Sequence, residues 1–108
     1  MAELIWSPTA IKDIQNIAEY IGKDSLLAAS NLVERFFEKA EILTKYPTIG
    51  TPTPELNDNK YRQILCSRYR IIYKLVSERE VHILTIHHQA RLLENNPVFK
   101  KKLRKKNN

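Results

Sequence analysis

The residues best suited to chemistry form a basic segment in the second half of the chain. This segment contains Lys60, Arg62, Arg68, Arg70 and Lys74. No acidic residue interrupts it, and the first one that follows is Glu78. A concentrated positive field is a place where phosphate groups or acidic partners bind. We therefore predict that these five basic residues bind nucleic acid.

Histidines follow the basic segment, and histidine can transfer protons because it titrates near neutral pH. His82, His87 and His88 lie in one apolar run. Since His87 and His88 are adjacent, they point to opposite faces of a strand, and only one of them can join Arg70. The sequence leaves open which one. The three histidines lack the spacing of a zinc site, so we predict no metal and no cofactor.

The total charge is less informative than its distribution. The chain has 108 residues, of which 18 are basic and 12 acidic, and a formal net charge of +6. Six of the basic residues lie after Phe99, which leaves 12 to balance the 12 acidic ones. We predict one domain over residues 1–99, followed by a basic, disordered tail over residues 100–108. The local basic segment is therefore a better indicator of function than the net charge.

Cellular location follows from cysteine usage and hydropathy. Cys66 is the one cysteine of the chain, which excludes an internal disulfide and fits a reducing compartment. The N-terminus lacks the basic and apolar regions of a signal peptide. No apolar run approaches the ~20 residues that a membrane-spanning helix needs. We predict a cytoplasmic protein with no membrane contact.

The basic segment and the histidines fall on three predicted strands. The strand-forming runs are Tyr61–Cys66, Tyr69–Tyr73 and Val81–His87, all rich in β-branched and aromatic residues. Short connections such as Ser67-Arg68 predict antiparallel pairing, because a parallel return would need a dozen or more residues.

The first half of the chain predicts one strand and two helices. Glu3–Trp6 reads as a short strand, and Ser7-Pro8 is typical of a helix start. Apolar residues then recur at helical spacing up to Gly22, and again from Asp24-Ser25 to Tyr46-Pro47. We therefore predict an α+β fold in which an N-terminal strand and an antiparallel helical hairpin pack on a small, mainly antiparallel sheet. A short C-terminal helix should begin near residues 96–97.

In the order and spacing of several stretches, the chain resembles the RelE/ParE toxin superfamily. These stretches are Ser7-Pro8 with Ile14, Ile17, Tyr20 and Ile21, then Tyr46-Pro47-Thr48-Ile49-Gly50, Pro54-Glu55-Leu56, Tyr61-Arg62, Tyr69-Arg70-Ile71-Ile72-Tyr73 and Ile86-His87-His88-Gln89-Ala90-Arg91. The resemblance extends to about Asn96. It implies a small bacterial toxin of a type II toxin–antitoxin system, encoded beside an antitoxin that wraps and silences it.

The superfamily has two branches, and the resemblance favours one of them. ParE-like members inhibit DNA gyrase, whereas RelE-like members cleave mRNA in the ribosomal A site. The proline and glycine loop before Pro54-Glu55-Leu56 and the long helical hairpin resemble the ParE or plasmid-stabilisation branch. The favoured prediction is therefore a ParE-like toxin that inhibits growth, acts through DNA gyrase and is neutralised by a cognate antitoxin protein. A homodimer is compatible with this prediction.

The alternative that the resemblance implies is a ribosome-dependent mRNA endoribonuclease. RelE-like enzymes place phosphate-binding arginines at positions similar to Arg70 and Arg91, and a lysine near the position of Arg62. His87 or His88 would then transfer the proton, since no tyrosine follows Arg91 as it does in RelE. A second alternative is an inactive relative that binds an antitoxin or nucleic acid. The sequence thus leaves open whether the protein is an enzyme.

Overall fold

The computed structural model describes residues 1–106, and the side chains of residues 1–103. This part of the chain forms five strands and three helices. In chain order they are β1 (Glu3–Trp6), α1 (Pro8–Gly22), α2 (Leu26–Lys45), β2 (Thr51–Pro52), β3 (Tyr61–Cys66), β4 (Tyr69–Ser77), β5 (Glu80–His88), a 3-10 turn (Leu93–Asn95) and α3 (Lys100–Lys106). The predicted α+β class is confirmed.

Local signals place the two long helices where the sequence predicts them. The Ser7 hydroxyl accepts a hydrogen bond from the Ala10 amide at 3.0 Å, and Ser25 caps α2 in the same way. These bonds satisfy amides that lack a partner within the first turn. Ser7 also donates to the Leu84 carbonyl at 2.7 Å, so the start of α1 is tied directly to β5.

The sheet has the strand order β1-β5-β4-β3-β2. The three central strands form the predicted antiparallel meander, and β1 adds to it in parallel alongside β5. The two-residue strand β2 pairs antiparallel with β3. It gives the sheet a short edge on that side.

Alternation along the strands gives the sheet two faces with separate cores. The hairpin face, which packs on α1 and α2, buries Ile71 and Tyr73 against Phe36. The α3 face, on the other side, buries Ile72 against a second cluster. This cluster contains Leu56, Leu93, Phe99 and Leu103. The catalytic and binding residues predicted from the sequence are therefore divided between two surfaces.

The C-terminal helix differs from its prediction. It was expected to begin near residue 96, but α3 begins at Lys100, inside the segment predicted to be a disordered tail. Leu103 is buried in the second core together with Phe99, and this burial explains why the backbone is helical there. Residues 107–108 of the predicted tail lie outside the described residues.

Candidate functional site

The pleat of the sheet divides the basic segment. Arg62 pairs in register with Tyr73, so its side chain lies on the hairpin face. Arg70 pairs with Leu65 on one side and His87 on the other, and lies on the α3 face together with Lys74. The sequence treated the basic residues as one patch, but the structure does not bring these arginines together.

Arg70 is buried and forms an ion pair with Glu55. Its Nη1 and Nη2 atoms donate to the two carboxylate oxygens of Glu55 at 2.9 and 2.8 Å, and Nη1 also donates to the Gln63 amide oxygen at 3.0 Å. The arginine is 9% exposed. Its hydrogen bonds hold the pKa of the Glu55 carboxyl below the ordinary value. Glu55 therefore accepts the bidentate hydrogen bonds that Arg70 would otherwise donate to a phosphate.

Arg62 has a structural partner as well. Its Nη1 atom donates to the Gly50 carbonyl oxygen at 2.8 Å and approaches the Thr48 carbonyl oxygen at 3.4 Å. These bonds attach the loop after α2 to the edge of the sheet. The guanidinium is thereby directed toward this loop, away from Arg70.

Both ring nitrogens of His87 form hydrogen bonds. The Asn96 amide lies 3.0 Å from Nδ1, and the Arg91 carbonyl oxygen lies 2.9 Å from Nε2. Because the Asn96 side-chain oxygen accepts from the Val98 amide, its nitrogen must donate to His87. Nδ1 is therefore an acceptor, and the neutral ring carries its proton on Nε2. The lone pair that a general base would use is already engaged.

Burial lowers the pKa of His87 below its ordinary value of 6.5. The unfolded chain therefore binds a proton that the folded chain excludes, and the free energy of unfolding should fall as the pH drops below about 6.5. This dependence, at most about 1.4 kcal/mol per pH unit for one proton, should be shallower in His87→Gln. Urea unfolding between pH 7 and 5 measures it. His88→Gln is the control, and equal slopes for His87→Gln and the parent protein would contradict this account.

The His88 side chain lies on the face of β5 opposite to that of His87, and Arg91 follows in the turn after this strand. The His88 ring packs edge-on against Tyr69 with 5.1 Å between centroids, and its Nδ1 atom accepts from the Ala90 amide. Arg91 is exposed. His87, His88 and Arg91 all line a cleft of about 600 Å³ between α1 and the turn after β5, to which Tyr20 also contributes. Arg70 does not line this cleft.

The four predicted catalytic residues thus do not form one open constellation. Arg70 faces His87 across β4 and β5, but an ion pair and two hydrogen bonds occupy these groups. His87, His88 and Arg91 line one cleft, which Arg70 does not line. Within residues 1–106, no cluster of three or more histidine, cysteine or acidic side chains is placed to hold a metal ion. The same part of the chain has no helix long and apolar enough to cross a membrane.

Sequence reasoning missed the residues that engage the predicted ones. The sequence analysis gave no role to Glu55 or Asn96, although Glu55 accepts hydrogen bonds from Arg70 and Asn96 donates one to His87. The spacing between Glu55 and Arg70 has no helical or strand period, so no periodic pattern could reveal this pair. The opposite signs of the two charges were the available signal.

The fold matches that of a solved structure. The same fold is found in a chain of the chromosomal ParDE toxin–antitoxin system from P. aeruginosa, with a TM-score of 0.67 and 21% sequence identity. The match covers 82% of this chain and 96% of the other. This likeness shows the fold of the chain.

The sequence comparisons identify the family. The family model for the ParE toxin of the type II toxin–antitoxin system, parDE, matches residues 4–93, and the chain belongs to this family. The chain is also similar to Toxin RelE2 from Caulobacter vibrioides, with 34% identity over 92 residues. That alignment covers 85% of this chain and 100% of the relative. The resemblance to the RelE/ParE superfamily predicted from the sequence is confirmed.

Proposed function

We propose that this ParE-family toxin arrests growth by binding a protein target in the cytoplasm, with DNA gyrase as that target, and that a cognate antitoxin neutralises it. The observation that carries the proposal is the ion pair between Arg70 and Glu55. A metal-free ribonuclease needs open cations at the phosphate and a free base near the 2′-hydroxyl. The Arg70 guanidinium is already paired with Glu55, and the Nδ1 lone pair of His87 already accepts a hydrogen bond from Asn96.

The residues that remain accessible support binding. Arg91 is exposed beside an amphipathic cleft, and Tyr20 and Leu92 at its rim are 72% and 63% exposed. Large apolar side chains next to a cation are typical of surfaces that dock protein partners. An antitoxin or a target protein could bury the side chains of Tyr20, Arg91 and Leu92, which form no hydrogen bond or ion pair with the described side chains.

The proposal is tested by inducing the chain in bacterial cells without antitoxin. We expect growth arrest, uncut mRNA in primer extension, and recovery when the antitoxin encoded beside the toxin is co-expressed. Purified toxin should inhibit DNA supercoiling by gyrase. Arg91→Gln and His88→Gln, which replace two residues that line the cleft, should leave the mRNA uncut as well.

Each other outcome has a separate meaning. Cuts within translated codons that disappear in Arg91→Gln would replace the proposal with the ribonuclease. Growth arrest with unaffected gyrase would exclude gyrase but retain a binding toxin. Normal growth at verified expression would identify an inactive relative.

A further inference from the structure

Two lysines approach one aromatic ring on the α3 face. Tyr61, the first residue of β3, has the Lys102 Nζ atom 4.1 Å and the Lys74 Nζ atom 5.5 Å from its ring centroid. We call Lys74 and Lys102 the Tyr61 lysine cluster. Cation–π contacts hold extended lysine side chains near a ring.

The fold fixes the position of Lys102, which comes from the other end of the domain. Phe99 and Leu103, on either side of it, are 2% and 7% exposed in the second core. The Phe99 ring packs edge-on against Tyr61 with 6.1 Å between centroids. Since both neighbours are anchored, Lys102 is held over the ring, in contrast to a lysine of a free tail.

Among the side chains that the structure describes, no carboxylate forms an ion pair with the lysine cluster. The ion pairs among the described side chains join Arg70 to Glu55 and His82 to Glu80, and none involves these lysines. The nearby Asp58 carboxylate accepts from the Lys60 backbone amide and serves the local turn. Two like charges near one ring repel each other, so an anion bound between them would stabilise the cluster.

The chemistry of the cluster favours a phosphate backbone over a protein partner. Lysine is depleted in protein–protein interfaces, where exposed aromatic and arginine anchors dominate. Here the one aromatic ring is half-buried, with Lys102 over it and Phe99 at its edge. This ring therefore offers no stacking platform, and single-stranded nucleic acid is bound mainly through such platforms. Lysines acting as point charges suit the phosphates of a duplex.

We propose that the Tyr61 lysine cluster binds the phosphate backbone of duplex DNA without reading its sequence. This inference does not depend on the proposed function. It also changes the binding site predicted from the sequence. Arg62 and Arg70 are excluded because protein groups engage them, and Arg68 lies at the far end of the β3–β4 hairpin, about 17 Å away at ~3.4 Å per residue. Lys102 takes their place.

The test is the salt dependence of DNA binding, measured by fluorescence anisotropy of the purified full chain with two labelled duplexes of unrelated sequence. We expect equal affinity for both duplexes. Each lost phosphate contact lowers the slope of log K against log salt by about 0.9. Lys74→Gln with Lys102→Gln should therefore reduce the slope by roughly 1.8. Lys74→Arg with Lys102→Arg keeps both charges and should retain the slope.

The matched control is Lys12→Gln with Lys23→Gln, which removes two exposed lysines from the helical hairpin. An equal loss of slope in this control, or none in the Lys74 and Lys102 variant, would overturn the proposal. Tighter binding to single strands, or stronger competition by polyglutamate than by unlabelled duplex, would overturn it in favour of a different partner. Thermal unfolding checks that α3 stays docked. If the double glutamine variant unfolds, the single variants Lys74→Gln and Lys102→Gln decide the matter, each with an expected loss of slope of about 0.9.

Discussion

Glu55→Ala should lower the free energy of unfolding by about 2 kcal/mol. Removing one partner of a buried ion pair typically costs about 3–5 kcal/mol, because the other charge stays buried without compensation. Arg70 is 10% exposed in its side chain, but Glu55 is 36% exposed, so water screens part of this cost. Urea unfolding followed by the fluorescence of Trp6, the single tryptophan, measures the change.

A second variant separates the lost pair from lost packing. Glu55→Ala combined with Arg70→Met leaves no buried charge, and should recover more than half of the lost stability. Glu78→Ala, which removes an exposed carboxylate from the β4–β5 turn, serves as the surface control and should change stability by less than about 0.5 kcal/mol. If Glu55→Ala behaved like this control, Arg70 would be available for phosphate and the case against ribonuclease chemistry would weaken.

The parts of the fold that the sequence predicts correctly depend on local signals. Ser7-Pro8 specifies the start of α1, because a serine oxygen and a proline ring act within one turn. Tyr46-Pro47 ends α2 for an equally local steric reason. Alternation along β4 places Arg70 and Lys74 on one face of the sheet, and the register agrees with this placement.

The parts that the sequence does not predict depend on contacts between distant residues. Arg62 and Arg70 are eight positions apart, so alternation along one continuous strand would place them on the same face. The two-residue turn between β3 and β4 pairs Cys66 with Tyr69, and the two arginines therefore lie on opposite faces. Ser67, in this turn, has a φ of 56°. Likewise, only tertiary packing brings Lys102 to Tyr61. The spacing of Phe99 and Leu103, one helical turn apart, was the signal for an anchored helix inside the predicted tail.

Gly50→Ala should destabilise the protein by about 3 kcal/mol, although it adds a single methyl group. A Cβ atom at position 50 would lie 2.5 Å from the Tyr73 hydroxyl oxygen and 2.6 Å from the Gln63 carbonyl oxygen. The Tyr73 hydroxyl is held in place, since it donates to the Pro47 carbonyl at 2.9 Å and accepts from the Gly50 amide at 3.0 Å. Overpacking costs about 1–3 kcal/mol, and a buried hydrogen bond lost when Tyr73 moves adds a similar amount.

Gly22 provides the matched control for this substitution. A Cβ atom there would lie 3.5 Å from the Leu26 side chain, which is an ordinary contact, and Gly22 is the last residue of α1. Gly22→Ala should therefore leave stability unchanged or raise it by up to about 1 kcal/mol, because alanine has the higher helix propensity and restricts the unfolded chain. Both variants are compared by urea unfolding. A Gly50→Ala protein as stable as Gly22→Ala would show that the loop after α2 has room for a Cβ atom beside the Tyr73 hydroxyl. The hydrogen bond from Arg62 to the Gly50 carbonyl would then not hold this loop in one position.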